Sequence, residues 1–372
     1  MFTKSAIFQG SINESINKKI AGLYILERNI ILLSKSGIEK ITIKTAEKEN
    51  ELFNKKILKH IKNINIEIVT GTKQVPEKNC LIISPEIFLQ QHYFSNPDKY
   101  FRKKKNYYET VLSDELFMIK DKKDIIKAEN LIADYIIKNT GGFIAQKINK
   151  RISIPVSRIL SKTRIHPNYL TVVNMVIGFL SSYFIFLCTY DHYSTLTTYI
   201  LMISGGLFFQ AASILDGVDG EVAKFNLKVS KIGGWLDTFS DNTTLLLFLI
   251  SNSYLFYKKM GGLISLATIL VLFISLGVML GIMINYLSKH SDSGSLVTYD
   301  REFLQKLPAT DRLVKFALNM KYLTKKEMFS ILFLLFAFTG HIYIIIPLTA
   351  FVLFAAAVIL SLISIRYANR FR

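Results

Sequence analysis

Four aspartates carry the chemistry most legible in this chain. They stand in Asp216-Gly-Val-Asp219-Gly220-Glu-Val-Ala223-Lys224 and, after eight residues, in Gly233-Gly-Trp-Leu-Asp237-Thr-Phe-Ser-Asp241. Spacings of i, i+3 and i, i+4 put each pair on one face of a helix. The short connection makes the two helices antiparallel neighbours, so four carboxylates converge. Crowded like charges repel unless a cation neutralises them. A set without His or Cys favours Mg²⁺, Mn²⁺ or Ca²⁺ over zinc. Two divalent cations balance four carboxylates, hold a diphosphate and polarise a nucleophile for in-line displacement. Gly220, Ala223, Gly233 and Gly234 are small enough for a flat nucleotide or a neighbouring backbone to approach. Lys224 offers a point charge to phosphate. A bland alternative has the aspartates capping helices and pairing with Lys224, Lys228 and Lys231. That accounts for one or two of them, not for four in this register.

The elements that position these residues are apolar. Half of the 372 residues are hydrophobic, and 46 Lys and Arg stand against 28 Asp and Glu, a net charge of +18; mean hydropathy is +0.31. That composition excludes a disordered chain. Apolar stretches near 168–190, 194–216, 236–257 and 262–287 are long enough to cross a bilayer, which takes about 20 residues. The block 328–365 exceeds one bilayer and breaks at Gly340-His341, which predicts two helices and six spans in all. A carboxylate at a helix centre in a bilayer costs about 2.5–3.5 kcal/mol on insertion scales. The aspartates close the second span and open the third, where the cost is smaller. With the N-terminal region cytoplasmic, the inner loops and tail hold fourteen basic residues and the outer loops only Lys258 and Lys259. The positive-inside rule then places both termini and the aspartates on the cytoplasmic side of a multi-pass membrane protein. Lys4, Glu14, Lys18 and Lys19 interrupt any secretory signal.

Residues 1–140 read as a soluble α/β domain. Short β-like runs (Ser5–Phe8, Ile41–Lys44, Asn65–Val69, Cys80–Ile83, Leu116–Ile119) alternate with helical ones (Lys18–Ser36, Ala46–Lys62, Lys123–Lys138). Residues 141–166 carry six basic residues and no acid, as a linker helix lying in the membrane interface would; Pro155 is expected to kink or break it. Residues 167–372 form the membrane domain. Cys80 and Cys188 stand far apart, which excludes a disulfide framework and a zinc ribbon. The basic-aromatic run Tyr100–Tyr108 reads as a loop facing anionic lipid or solvent rather than nucleic acid.

The aspartate stretch resembles the signature of the CDP-alcohol phosphotransferases, a six-span membrane family. Of eight fixed positions, seven are met with every spacing kept; Lys224 stands where the family has Arg, which loses a bidentate phosphate contact. The resemblance implies that Asp216, Asp219, Asp237 and Asp241 ligate two divalent cations, Mg²⁺ or Mn²⁺. It makes Asp241 the general base that takes the acceptor's proton, with CMP leaving. Gly220, Ala223, Lys224 and Gly233 then fall on the CDP side. His166-Pro167-Asn168-Tyr-Leu-Thr171 resembles the family's Pro-Asn-x-x-Thr entry, which adds Asn168 and Thr171 to the nucleotide side; an N-cap and a first helical turn are the local alternative. The implied partners are a CDP-alcohol donor (CDP-diacylglycerol or a CDP-polyol), a hydroxyl acceptor such as a polyol phosphate, the lipid bilayer and a second copy of the chain.

The segment from Ile20 through Glu27-Arg28-Asn29 to Gly37 is similar to sugar-phosphate nucleotidyltransferases. An N-terminal cytidylyltransferase-like domain on this membrane domain resembles inositol-phosphodiester synthase fusions. Where the nucleotidyltransferases keep a Gly-rich phosphate loop, this chain has Phe8-Gln-Gly10-Ser-Ile-Asn-Glu-Ser, and Ser84-Pro85-Glu86 replaces their metal-binding aspartate. The soluble domain is therefore expected to be catalytically silent. Lys228, Lys231, Arg312 and Lys315 read as solvated loop residues, with an acidic acceptor as the alternative role. Two other classes stay in view: an inactive membrane scaffold, suggested by Lys224, and a cation transporter, which predicts carboxylates nearer mid-span.

Overall fold

The computed structural model describes residues 3–57, 61, 64–70, 79–104, 106–142, 144–163, 165–290, 299, 303–308, 310–320 and 326–367. The chain forms two compact units: Met1–Asn139 with Ser157–Arg164 and Glu221–Lys228, and Thr140–Val156 with Ile165–Gly220 and Val229–Arg372. Two segments distant in sequence thus belong to the N-terminal unit.

That unit is built on a six-stranded sheet, with strands β1 (Ser5–Phe8), β4 (Lys40–Thr45), β5 (Ile66–Thr70), β6 (Cys80–Ile83), β7 (Phe101–Lys103) and β8 (Tyr107–Thr110) in the order β5-β4-β1-β6-β8-β7. β1 pairs parallel with β4 and β6, as the near-continuous apolar runs of strands buried on both faces require. Phe8, Ile41, Ile43, Leu81 and Ile83 enter the core together with Leu26, Ile30 and Leu33 of α1 (Ile25–Lys35) and Phe53 of α2 (Glu47–Lys56). The sheet reverses direction of growth beside β1. There the loops after β1 and β6 meet, with Gln9 N–H donating to Ile83 O at 2.9 Å. A Cβ on Gly10 (φ +127°) would lie 3.5 Å from Pro85 Cδ.

Several local expectations are corrected. The helix expected over Lys18–Ser36 begins as a hairpin, β2 (Lys19–Ile20) and β3 (Leu23–Tyr24), before α1 starts at Ile25. Ala21 (φ 49°) and Gly22 (φ 84°) take the left-handed conformations of a tight two-residue turn, which no helix interior accommodates. Leu116–Ile119 is not a strand: it makes one isolated bridge, Ile87 to Met118, and contributes the buried Leu116 and Ile119 as a packed loop. The run Tyr100–Tyr108, expected as a loop, includes among its described residues β7 and the start of β8, paired antiparallel at the sheet edge, with Lys103 and Lys104 exposed. α2 ends at Lys56; of the remainder expected as far as Lys62, residues 58–60 and 62 lie outside the described residues. After the one-turn α3 (Pro97–Tyr100), α4 spans Lys122–Lys138, capped by Asp121, whose carboxylate accepts from Asp124 N–H at 2.9 Å.

Within the same unit, buried Arg28 donates to Phe225 O at 2.8 Å and Lys35 Nζ to Leu227 O at 2.6 Å. Burial lowers the Arg28 pKa to about 10, so the guanidinium stays cationic at neutral pH. α5 (Lys150–Ser161) runs through Pro155 unbroken, against the expected break; Pro155 leaves one carbonyl of the preceding turn without its helical donor.

The C-terminal unit is helical: α6 (Pro167–Leu187), α7 (Thr195–Phe225, as far as Gly220), α8 (Lys231–Met260), α9 (Gly262–His290), α10 (Arg312–Met320), α11 (Lys326–Phe338) and α12 (Ile345–Arg366). Four stretches among the described residues are long and apolar enough to cross a membrane: Pro167–Leu187, Thr195–Phe225, Gly262–Tyr286 and Ile342–Arg366. α8, whose middle carries Asn242, Thr243, Thr244, Ser251, Asn252 and Ser253, is not among these four, and α11 has 13 residues. Phe209, Phe248 and Phe333 join three of these helices, with ring centroids 4.0 to 5.3 Å apart. Small residues allow close approach: a Cβ on Gly178 would meet Thr244 Cγ2 at 2.5 Å. Leu263, Ile264, Phe351 and Ile365 are strongly exposed, as suits helices facing lipid.

Candidate active site

The aspartates lie where α7 ends and α8 begins. Ser230 caps α8, its hydroxyl accepting from Gly233 N–H at 3.0 Å, so Asp237 and Asp241 fall in the first turns. One carboxylate oxygen each from Asp216, Asp237 and Asp241 lies within 4.8 Å of the others. Two oxygens each 2.0–2.6 Å from one cation stand at most about 5 Å apart, so this all-oxygen set fits a hard divalent ion. Asp219, one turn along α7, is buried and takes a hydrogen bond from Thr171 Oγ1 of α6. It is close enough to Asp237 for the two carboxylates to repel. The structure therefore groups three of the four aspartates and sets the fourth alongside.

Two residues that sequence reasoning missed complete the arrangement. Lys326, at the start of α11, places Nζ 2.7 Å from Asp241 Oδ1 and 3.5 Å from Asp216 Oδ1. Asn174 Nδ2 lies 3.5 Å from Asp216 Oδ1, and Asn174 Oδ1 is buried without a hydrogen-bond partner. Asn174 had a detectable signal: it repeats at i+3 after Asn168 and Thr171, on the same α6 face. Lys326 had none, since 85 residues separate it from Asp241.

The remaining expected residues divide. Gly220 and Gly234 open onto free space, with nothing within 4 Å of an added Cβ. Gly233 serves close approach to protein: its Cβ would stand 3.1 Å from Ser230 Oγ and 3.3 Å from Asn168 Oδ1. Asn168 is not the N-cap of α6. His166 is, its Nδ1 accepting from Asn168 N–H at 3.3 Å with Pro167 in the first turn. Ala223 (buried) and Lys224 (exposed) lie in the Glu221–Lys228 segment of the α/β unit. Lys228, Lys231, Arg312 and Lys315 are exposed.

Residues 164–363 match the family model described as CDP-alcohol phosphatidyltransferase. This chain belongs to that family. The chain is 33% identical over 151 residues to a bifunctional IPC transferase and DIPP synthase of Archaeoglobus fulgidus, covering 40% of this chain and 28% of that protein. A protein of the same name from Thermococcus kodakarensis is 35% identical over 120 residues, 32% of this chain and 24% of that one. An archaetidylinositol phosphate synthase of Pyrococcus horikoshii is 32% identical over 121 residues, 32% of this chain and 55% of that one. The matches thus span from about a quarter to about half of the relatives' lengths.

Proposed function

We propose that this protein transfers a phospho-alcohol group from a CDP-alcohol to an acceptor hydroxyl and releases CMP, in the synthesis of a phospholipid or a polar headgroup. The observation that carries the reading is the convergence of Asp216, Asp237 and Asp241 inside a family signature. Asp216, Asp219, Asp237 and Asp241 would hold two divalent cations, Mg²⁺ or Mn²⁺. When bound, these supply charge neutralisation for the diphosphate of the donor. Asn174 supports Asp216, and Thr171 orients Asp219. Asp241 accepts the proton of the acceptor hydroxyl as that oxygen bonds to the β-phosphorus. The bond from that phosphorus to the bridging oxygen breaks, CMP departs with the electron pair, and a phosphodiester remains. Gly220 leaves room for the nucleotide; Gly233, Asn168, Ala223 and Lys224 complete the donor side.

The donor is a CDP-linked lipid or a CDP-polyol. The name of the Pyrococcus relative favours an inositol phosphate as the acceptor. Six spans, with α8 and α11 joining the four apolar stretches, put both termini and the aspartates on the cytoplasmic face of a dimer in the bilayer. The α/β unit is catalytically silent as a nucleotidyltransferase, a reading supported by the single glycine of its first loop and by Pro85 beside Gly10.

The test is CMP release by detergent-purified protein with Mg²⁺ or Mn²⁺, CDP-diacylglycerol or CDP-inositol, and a panel of polyols and polyol phosphates. Metal-dependent CMP that disappears in Asp241→Asn is expected. Neither CMP nor metal-dependent binding of any CDP-alcohol would overturn the reading.

A further inference from the structure

The α/β unit contains a cleft of about 630 Å³ that the aspartate chemistry does not use. Lys19 and Tyr24 of the hairpin, Glu27 of α1, Lys55 and Lys56 of α2, and Lys228 line it. Four lysines and one acidic residue therefore line the same cleft. That residue's carboxylate is already engaged, since Glu27 Oε2 accepts Tyr24 N–H at 3.3 Å. The lining includes no residue of the segment 8–18, so the cleft is distinct from the loop where a nucleotidyltransferase would cradle phosphate.

The walls are fixed rather than loosely draped. Gly22, at φ +84°, packs its Cα directly against Ser161 O, with no space for a side chain. The Asn226 amide, with its nitrogen turned toward them, donates to Ala21 O at 2.6 Å and Ser161 O at 3.1 Å. Arg28 and Lys35 hold the carbonyls of Phe225 and Leu227, which sets the turn that presents Lys228. Lys19 and Lys56 lie 4.5 and 5.8 Å from the Tyr24 ring centroid. Lys56 also donates to Asn17 Oδ1 at 2.6 Å. Leu23, Ile31 and Leu52 add an apolar surface.

Gathered lysines repel one another, and an anion relieves that repulsion. Lysine meets phosphate as a point charge without fixed geometry, and the cleft volume lies in the range of small-ligand sites, about 300–1,000 Å³. We propose that this cleft binds a phosphate-bearing anion, a phosphomonoester or diphosphate, with the Tyr24 ring and the leucines against its organic part. The same chemistry is offered by a soluble phosphate compound and by an anionic lipid headgroup. The chain that presents Lys228 also joins Asp219 to Asp237, so an occupant rests on the connection between the two aspartate pairs.

The test uses the full-length protein in EDTA, which removes metal-dependent binding at the aspartates and so keeps this question separate from the proposed activity. Calorimetry with inorganic pyrophosphate should give saturable binding that weakens at least tenfold in Lys55→Glu/Lys228→Glu. Lys99→Glu, outside the cleft, should leave it unchanged. In the second arm, hydrogen exchange of residues 19–24 is compared in nanodiscs with and without phosphatidylglycerol. Protection that needs the anionic lipid and disappears in the double variant, without pyrophosphate binding, supports the proposal with a lipid as the source. Lys55→Gln replaces the double variant if charge reversal lowers the melting temperature, with a smaller loss in the same direction. Binding indifferent to these substitutions, or neither binding nor protection, would overturn the proposal.

Discussion

Lys326 Nζ donates to Asp241 Oδ1 at 2.7 Å, so the first residue of α11 neutralises the carboxylate we propose as general base. The same ammonium is 3.5 Å from Asp216 Oδ1 and is largely buried. A cluster of carboxylates requires positive charge, and here one lysine provides it from a third helix. This gives Lys326 a dependence on metal. Lys326→Met should lower the melting temperature strongly in EDTA and much less with Mn²⁺. Breaking a buried pair costs about 3–5 kcal/mol when nothing replaces the lost charge. Thermal unfolding in the two conditions checks it, and equal losses would refute the coupling.

The two aspartate roles separate by measurement. Asp241→Asn should reduce CMP release by about 10²–10⁴-fold, the range for loss of a general base, while donor binding changes little. Asp216→Asn should weaken Mn²⁺ and CDP-alcohol binding together. Titrations of metal and donor on both variants decide this, and a shared pattern of loss would argue against distinct roles.

The Thr171 hydroxyl donates a hydrogen bond to buried Asp219. Thr171→Val keeps the shape and removes the donor, leaving the carboxylate short of a partner. The expected loss is about 1–3 kcal/mol in metal-free protein. Thr171→Ser should recover most of it in chemical denaturation; a Ser variant as unstable as Val would assign the effect to packing.

Lys224 departs from the family signature at one position and is exposed. Lys224→Arg restores a planar, bidentate donor. Turnover in the CMP assay should be unchanged or raised. Complete loss would give Lys224 a role that the signature does not supply.

Gly22 packs against Ser161 O in a left-handed turn. Gly22→Ala combines backbone strain of about 1–3 kcal/mol with a clash against a carbonyl that cannot rotate away. The melting temperature should fall, with accelerated hydrogen exchange in residues 157–163. An unaltered exchange pattern there would show that the contact is not structural.

Much of the architecture is local and therefore legible in the residues. β1 and β6 occupy the expected runs Ser5–Phe8 and Cys80–Ile83, because short apolar runs bounded by polar residues specify buried strands. α4 follows from its Asp121 cap, and the break after Phe338 from Gly340 at φ +74°. The hairpin at Lys19–Tyr24 was hidden because two-residue strands leave no period against the helix that follows. The basic run Tyr100–Tyr108 was misread because an edge strand has the composition of a loop.

For the candidate site the same division holds. Residue type and spacing alone defined an all-oxygen set and paired Asp237 with Asp241, since both properties are set within one helical turn. The short connection also predicted that Asp216 and Asp219 meet that pair; only the tertiary structure grouped Asp216 with it while setting Asp219 against Thr171, and inserted Lys326 and Asn174. Those contacts cross between helices whose mutual placement comes from packing at Gly178, Phe209 and Phe333. Packing is a property of surfaces distant in the chain, and no local pattern encodes which polar side chain will meet a given carboxylate.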